Sequence, residues 1–223
     1  MGATIAVAQT WKSKPPEQWS QKDAKKILSD SPWAKQAMMP YNPLTEYGGR
    51  TPRVTDPQIR VGQIPIDETD PTSVTARPAW TVNIIWSSSR TVRRAVAIDQ
   101  SGSTYKADPK HTESRERYEI TVLTATTTWP LPDWNEGELR AGTYLKFGAN
   151  GPEVRPERVR VGYFPGTPRV ESYWFAFPRE DNEGVPYLSA RTGEVRFYCQ
   201  LGPVAMRAKF EPAKMVAHDG PDL

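Results

Sequence analysis

Cysteine and histidine are almost missing from this chain of 223 residues, which has one of the first and two of the second. A single cysteine, Cys199, can form neither an intramolecular disulfide nor a cysteine-based zinc site. His111 lies in a charged loop. His218 lies close to Pro221, in a stretch expected to fray. Neither histidine has a Cys, Asp or Glu at metal-ligand spacing on a recognisable element, and without a better-placed histidine a Ser or Cys triad lacks its base. No run of about 18 apolar residues is present, so no helix is expected to span a membrane. A strong field of one sign is also missing: 29 basic residues face 26 acidic ones, for a net charge of +3. A nucleic-acid partner is therefore not implied. The densest basic group is Arg90, Arg93 and Arg94 with Arg115 and Arg117 nearby, and in it Arg93 and Arg94 are expected only to flank the apolar face of a helix. Phosphate-cradling motifs, whether GxxxxGKS/T or a strand–GxGxxG–helix, do not occur. No catalytic residue, metal ligand or cofactor is expected.

What the chain does have is proline and alternation. Its 22 prolines are about twice the usual share, which fits a packed core with long extended connections. Val195, Phe197, Cys199 and Leu201 alternate with Glu194, Arg196, Tyr198 and Gln200. After Gly202–Pro203 the pattern resumes with Val204, Met206, Ala208 and Phe210. A period of two places one set in the core and the other in water, so Cys199 is expected as a small buried hydrophobe. Val170–Phe177 is bulky on both faces, as a covered central strand would be. Trp80, Val82, Ile84 and Trp86 form the first clear strand, and Ser89 can cap a helix over Arg90–Ile98. Tyr118, Ile120 and Val122 resume a strand beyond a charged loop. This strand–helix–strand order fits either a parallel βαβ crossover or a helix inserted between antiparallel strands. Pro130–Glu138 reads as a loop, and Thr143–Phe147 and Arg158–Phe164 as short strands. Seven short strands from Trp80 onward predict a β-rich α+β fold. Its expected form is an antiparallel, Ig-like β-sandwich with a short N-terminal helix and one inserted helix.

Three regions are expected: an N-terminal arm with a capped helix (1–40), a proline-rich extended wrap (41–78) and a β-rich domain (79–223). Residues 9–18 are expected to be irregular because of Pro15 and Pro16. Ser20 is a good N-cap for a helix over Gln21–Ser29, Asp23 suits its first turn, and Trp19 and Ala24 are spaced as a hydrophobic staple. The apolar face of this helix is only Ala24, Ile27 and Leu28, too little to hold a short helix in water alone. It must dock. Asp30 or Ser31 can cap a further helical turn beginning at Pro32, with Trp33 plugging a pocket beside Trp19. The expected docking set is Trp11, Trp19, Ile27, Leu28 and Trp33, placed against the chain's own β domain or a neighbouring subunit. In the wrap, Ile59/Val61 and Ile64/Ile66 suggest two short edge strands.

Ligand candidates are weaker. Trp134 in a loop could stack on a sugar ring, and Glu180, Asp181 and Glu183 could offer oxygens to an ion. A turn between strands, however, prefers the same residues. Ala6-Val7-Ala8 followed by Gln9 looks like the end of a secretory signal, although no complete signal peptide precedes it.

The run Trp19-Ser20-x-Lys22-Asp23-Ala24-(x)3-Leu28-x-Asp30-Ser31-Pro32-Trp33-Ala34 resembles a family of uncharacterised bacterial proteins, mostly exported. The likeness continues at Trp86-Ser87-Ser88, Val92-Arg93-x-Ala95, Phe177-Pro178-Arg179, Val195-x-Phe197 and Lys209-Phe210. The resemblance implies export to the periplasm or beyond and carries no activity. The combined expectation is a non-enzymatic exported structural or protein-interaction protein, able to assemble through its arm. The alternative is a carbohydrate- or ion-binding module, or a hydrolase, using the loops near Trp134 and Glu180–Glu183.

Overall fold

The computed structural model describes residues 10–40, 79–102, 105–106, 108–124, 131–189, 192–201 and 204–223. The expected wrap over 41–78, its two edge strands and the signal-like start lie outside these residues.

Chain order begins with a short helix α1 (Thr10–Ser13) and a 3-10 turn over Pro16–Gln18. The prolines expected to forbid regular structure here sit at the start of that turn, where a missing N–H costs nothing. Helix α2 (Gln21–Ser29) begins where the spacing predicts. Ser20 Oγ accepts from Asp23 N (3.2 Å), and the Asp23 carboxylate accepts from Ser20 N (2.9 Å). This reciprocal capping box satisfies two of the helix's orphan donors. Trp19 and Ala24, the two ends of the expected staple, are both buried.

The helical turn expected at Pro32 does not form. Ser31 Oγ instead donates to Ile27 O (2.6 Å) and accepts from Trp33 N (3.2 Å), and Ala34 N bonds Ser31 O (3.2 Å). This tight turn sends the chain into strand β1 (Ala34–Pro40), so the end of the expected arm belongs to a sheet. Its sequence, AKQAMMP, carries no strong strand signal. The strand exists through antiparallel pairing with β2 (Ala79–Trp86), from Ala34 opposite Ile85 to Pro40 opposite Ala79.

Helix α3 (Arg90–Ser101) follows, capped by Ser89 Oγ on Val92 N (3.3 Å) and closed by Gly102 at φ +63°. Strand β3 (Arg117–Thr124) then returns antiparallel to β2. The helix is thus inserted between antiparallel neighbours and is no parallel crossover. A further helix, α4 (Glu136–Gly142), begins inside the stretch expected to be a loop and runs beyond it, and Asn135 and Glu138 form its capping box. Leu139 is its one buried residue, so it has no apolar periodicity to betray it.

The remaining strands are β4 (Thr143–Phe147), β5 (Glu153–Val154), β6 (Arg158–Tyr163), β7 (Val170–Pro178), β8 (Val195–Leu201) and β9 (Val204–Phe210). One sheet has the order β1-β2-β3-β7-β6 and the other β5-β4-β8-β9, with every pairing antiparallel. The chain is therefore β-rich α+β. The sheets meet through aromatic pairs: Trp86 with Phe210 (5.2 Å), Phe175 with Phe197 (5.6 Å) and Tyr118 with Phe147 (5.9 Å). Each such pair contributes about 1 kcal/mol beyond its area burial. Strand β7 lies between β3 and β6, and Tyr173, Phe175, Ala176 and Phe177 are all buried, as its two-faced bulk predicts.

Cys199 is buried in β8, and burial pushes its thiol up to about 12. The thiolate is the reactive form, so Ellman's reagent is expected to leave the folded protein unlabelled at pH 8 and to react fully in denaturant. Stoichiometric labelling of the native state within minutes would contradict the core assignment.

The chain ends in a small hairpin of β10 (Val216–Ala217) and β11 (Gly220–Pro221). The frayed tail expected around His218 is not observed: His218 N donates to Trp11 O (2.8 Å), tying the last segment to the first helix.

Candidate functional site

The docking residues come together on the chain itself. Trp11, Trp19, Ile27 and Trp33 are at most 3% exposed and belong to the core that also holds Phe175 and Phe197. Leu28 is half-buried against that core. Helix α2 packs on α3, which covers the apolar face that is too small to stand alone. The ring beside Trp33 is Trp11, edge-on at 6.0 Å, where the sequence had suggested Trp19. Trp19 Nε1 instead donates to Lys14 O (3.0 Å) and fastens the 3-10 turn.

Trp33 also reveals a residue that the sequence does not single out. Its Nε1 donates to Asp222 O (2.7 Å), and the Asp222 side chain, 3% exposed, sits on the N-terminus of α3. That carboxylate accepts from Thr91 N (2.6 Å), Arg90 N (2.8 Å), Ser89 Oγ (2.8 Å) and Arg90 Nε (3.3 Å). Burial alone would raise its pKa. The bonds from Thr91, Arg90 and Ser89 outweigh burial and hold it below the ordinary aspartate value. Around it, Arg94 pairs with Asp219 (3.0 Å) and Arg179 Nη2 donates to Leu223 O (2.7 Å). The last residues form a strap across the start of α3.

The ligand candidates do not converge. Asp181 Oδ1 accepts from Glu183 N and Val185 N, both at 2.9 Å, and Gly184 takes φ +79°. This oxygen is spent on its own turn, while Glu180 and Glu183 point into solvent as exposed residues. Among the described residues no group of His, Cys, Asp or Glu could hold a metal ion. Trp134 is half-buried beside Tyr173 (6.3 Å) and lines a cavity of about 420 Å³ with Asp133, Glu136 and Tyr163. The Tyr163 hydroxyl donates to Asp133 (3.4 Å). Glu180 lines a different cavity, with Arg117 and Glu157.

The basic group also divides. Arg117 pairs with Glu157 (2.6 Å). Arg93, expected only to flank the helix, is 8% exposed, with its two Nη atoms donating to Lys110 O and Glu113 O. Burial, and then the like charge of Arg115, pull its pKa below the ordinary arginine value.

Comparison with protein-family models, curated proteins and solved structures finds no match, so a functional reading rests on this geometry.

Proposed function

We propose that this is a non-enzymatic, exported structural or protein-interaction protein whose N-terminal arm is part of its own scaffold. The observation that carries the reading is the burial of Trp11, Trp19 and Trp33 against α3 and the terminal strap. The faces of Trp11, Trp19 and Trp33 are taken up in this way and are not offered to a neighbouring subunit. Among the described residues β1 and β6 are the edges of their sheet, and Met38 on β1 and Tyr163 on β6, 69% and 48% exposed, offer interaction surface there. Unpaired strand edges are natural templates for another chain. Export to the periplasm or beyond is supported by the Ala6-Val7-Ala8-Gln9 run and by the resemblance at Trp19–Ala34.

One observation favours a second reading as a carbohydrate-binding module or hydrolase: Trp134, Tyr163 and Asp133 share a cavity. Ion binding at Glu180–Glu183 has less behind it, because Asp181 already serves its turn. Thermal-shift measurements against a glycan panel and against Ca²⁺ and Mg²⁺ separate the readings. A ligand at a hundred times its Kd adds about 2.7 kcal/mol of stability, which is several degrees in a domain of this size. The scaffold reading expects no shift across the panel. A saturable shift that disappears in Trp134→Ala would replace it with the second.

A further inference from the structure

Arg93 is a buried cation with no carboxylate in direct contact among the described residues; Asp222 and Glu119 act on it only at longer range. Its Nη hydrogen bonds go to two carbonyls, which are neutral, and among the described residues it forms no ion pair within 4.0 Å, whereas its neighbours Arg90 and Arg94 do. Its Nε is buried and has no partner. Hydrogen bonds to carbonyls satisfy donors but do not neutralise charge, and an unneutralised buried charge is costly. The chain adds to that cost. Arg93 lines a cavity of about 620 Å³ together with Lys110, His111 and Arg115, and no carboxylate lines it among the described residues. Arg115 has no ion-pair partner among the described residues, while Lys110 is shared with Asp108 (2.9 Å). His111 brings a buried Nδ1 that also has no partner. Cations gathered in a recess focus a positive field there.

Part of the lining is apolar. Val92, Val96 and Ala97 present one face of α3 to the same cavity. The volume lies within the range of small-molecule sites, roughly 300–1,000 Å³. We infer that this cavity binds a small amphipathic oxyanion, a phosphate or carboxylate carried on a hydrocarbon body. The oxyanion lies toward Lys110 and Arg115 and offsets the positive charge gathered in the recess, while the hydrocarbon lies along Val92, Val96 and Ala97. The site is separate from the docked arm and from the Trp134 cavity, so it stands or falls independently of the scaffold reading.

Titration calorimetry of the intact chain with octyl phosphate, inorganic phosphate and 1-octanol tests this inference. Octyl phosphate below its micellar concentration is expected to bind saturably, at least tenfold more tightly than inorganic phosphate and with an affinity that falls as salt rises. The double variant Lys110→Gln/Arg115→Gln changes two exposed side chains and should keep the wild-type unfolding temperature while losing at least fivefold in affinity. Failure of octyl phosphate to saturate at millimolar concentration overturns the site. Undiminished affinity in the double variant overturns the role of the cations. Equal binding of inorganic phosphate removes the hydrocarbon half, and equal binding of 1-octanol removes the anionic half.

Discussion

Asp222→Asn is expected to cost about 3 kcal/mol at neutral pH, the range for removing one partner of a buried, hydrogen-bonded charge. For a domain of this size that is a fall of roughly 6–12 °C in Tm. The reason lies in how α3 begins. Helices α2 and α4 carry acids in their own first turns, Asp23 in one and Glu136 and Glu138 in the other, and α3 carries none. Asp222 supplies that charge from the far end of the chain and takes up the N–H groups of Arg90 and Thr91. An amide can offer only one oxygen to donors that now occupy both, and it presents an N–H₂ to the others. The pH dependence has a definite sign. Because the folded pKa of Asp222 lies below its ordinary value of 3.8, its contribution is complete above that value and is lost as pH falls through the folded pKa. Urea unfolding of the two proteins should therefore differ at pH 7 and converge in strong acid. Equal stability at pH 7 would show that the strap does not hold the helix.

Trp33→Ala is expected to cost about 4 kcal/mol, the range for emptying a fully buried aromatic site. Trp33 is 0% exposed, stands edge-on to Trp11 and hydrogen-bonds the backbone of Asp222. It is where the arm, the inserted helix and the terminal strap meet. Trp33→Phe keeps most of the volume and loses the hydrogen bond, so roughly 1–2 kcal/mol is expected. Chemical denaturation of both variants distinguishes the two contributions. If the two variants were equally destabilised, the hydrogen bond and not the packing would be the main contribution. If neither lost stability, Trp33 would not be a keystone.

These residues show what the sequence can and cannot disclose. Helix α2 is legible because everything that starts it is local: the Ser20 cap, the Asp23 reply and the Trp19–Ala24 staple lie within a few residues. Strands β2, β8 and β9 are legible because their apolar residues alternate with a period of two, and β7 because it is bulky on both faces. Strand β1 is not, since Ala34–Pro40 is defined by its partner β2 far along the chain. Helix α4 is too short to show periodicity. The docking set was legible as a need, because Ala24, Ile27 and Leu28 are too few to stand alone, but its destination was not. Asp222 is the clearest case. Its bonds to Ser89, Arg90 and Thr91 span more than half the chain, and no spacing rule connects them. The one local trace was a deficit: α3 is capped by Ser89 yet has no acid in its first turn. Arg93 is hidden for a related reason, because a guanidinium held by two loop carbonyls looks in sequence like any charge beside an apolar stripe.

The central claim is that the arm docks on the chain to which it belongs. Lys26, Lys35 and Lys214 line one cavity, the first two from the arm side and the third from beyond β9. Equal amounts of ¹⁵N-labelled and unlabelled protein, unfolded and refolded together, can be treated with a short lysine cross-linker and read by mass spectrometry. A self-docked arm predicts that cross-links joining Lys26 or Lys35 to Lys214 contain two peptides of the same isotope. Mixed-isotope pairs at the statistical level of half would place the arm on a neighbouring subunit and contradict the scaffold reading.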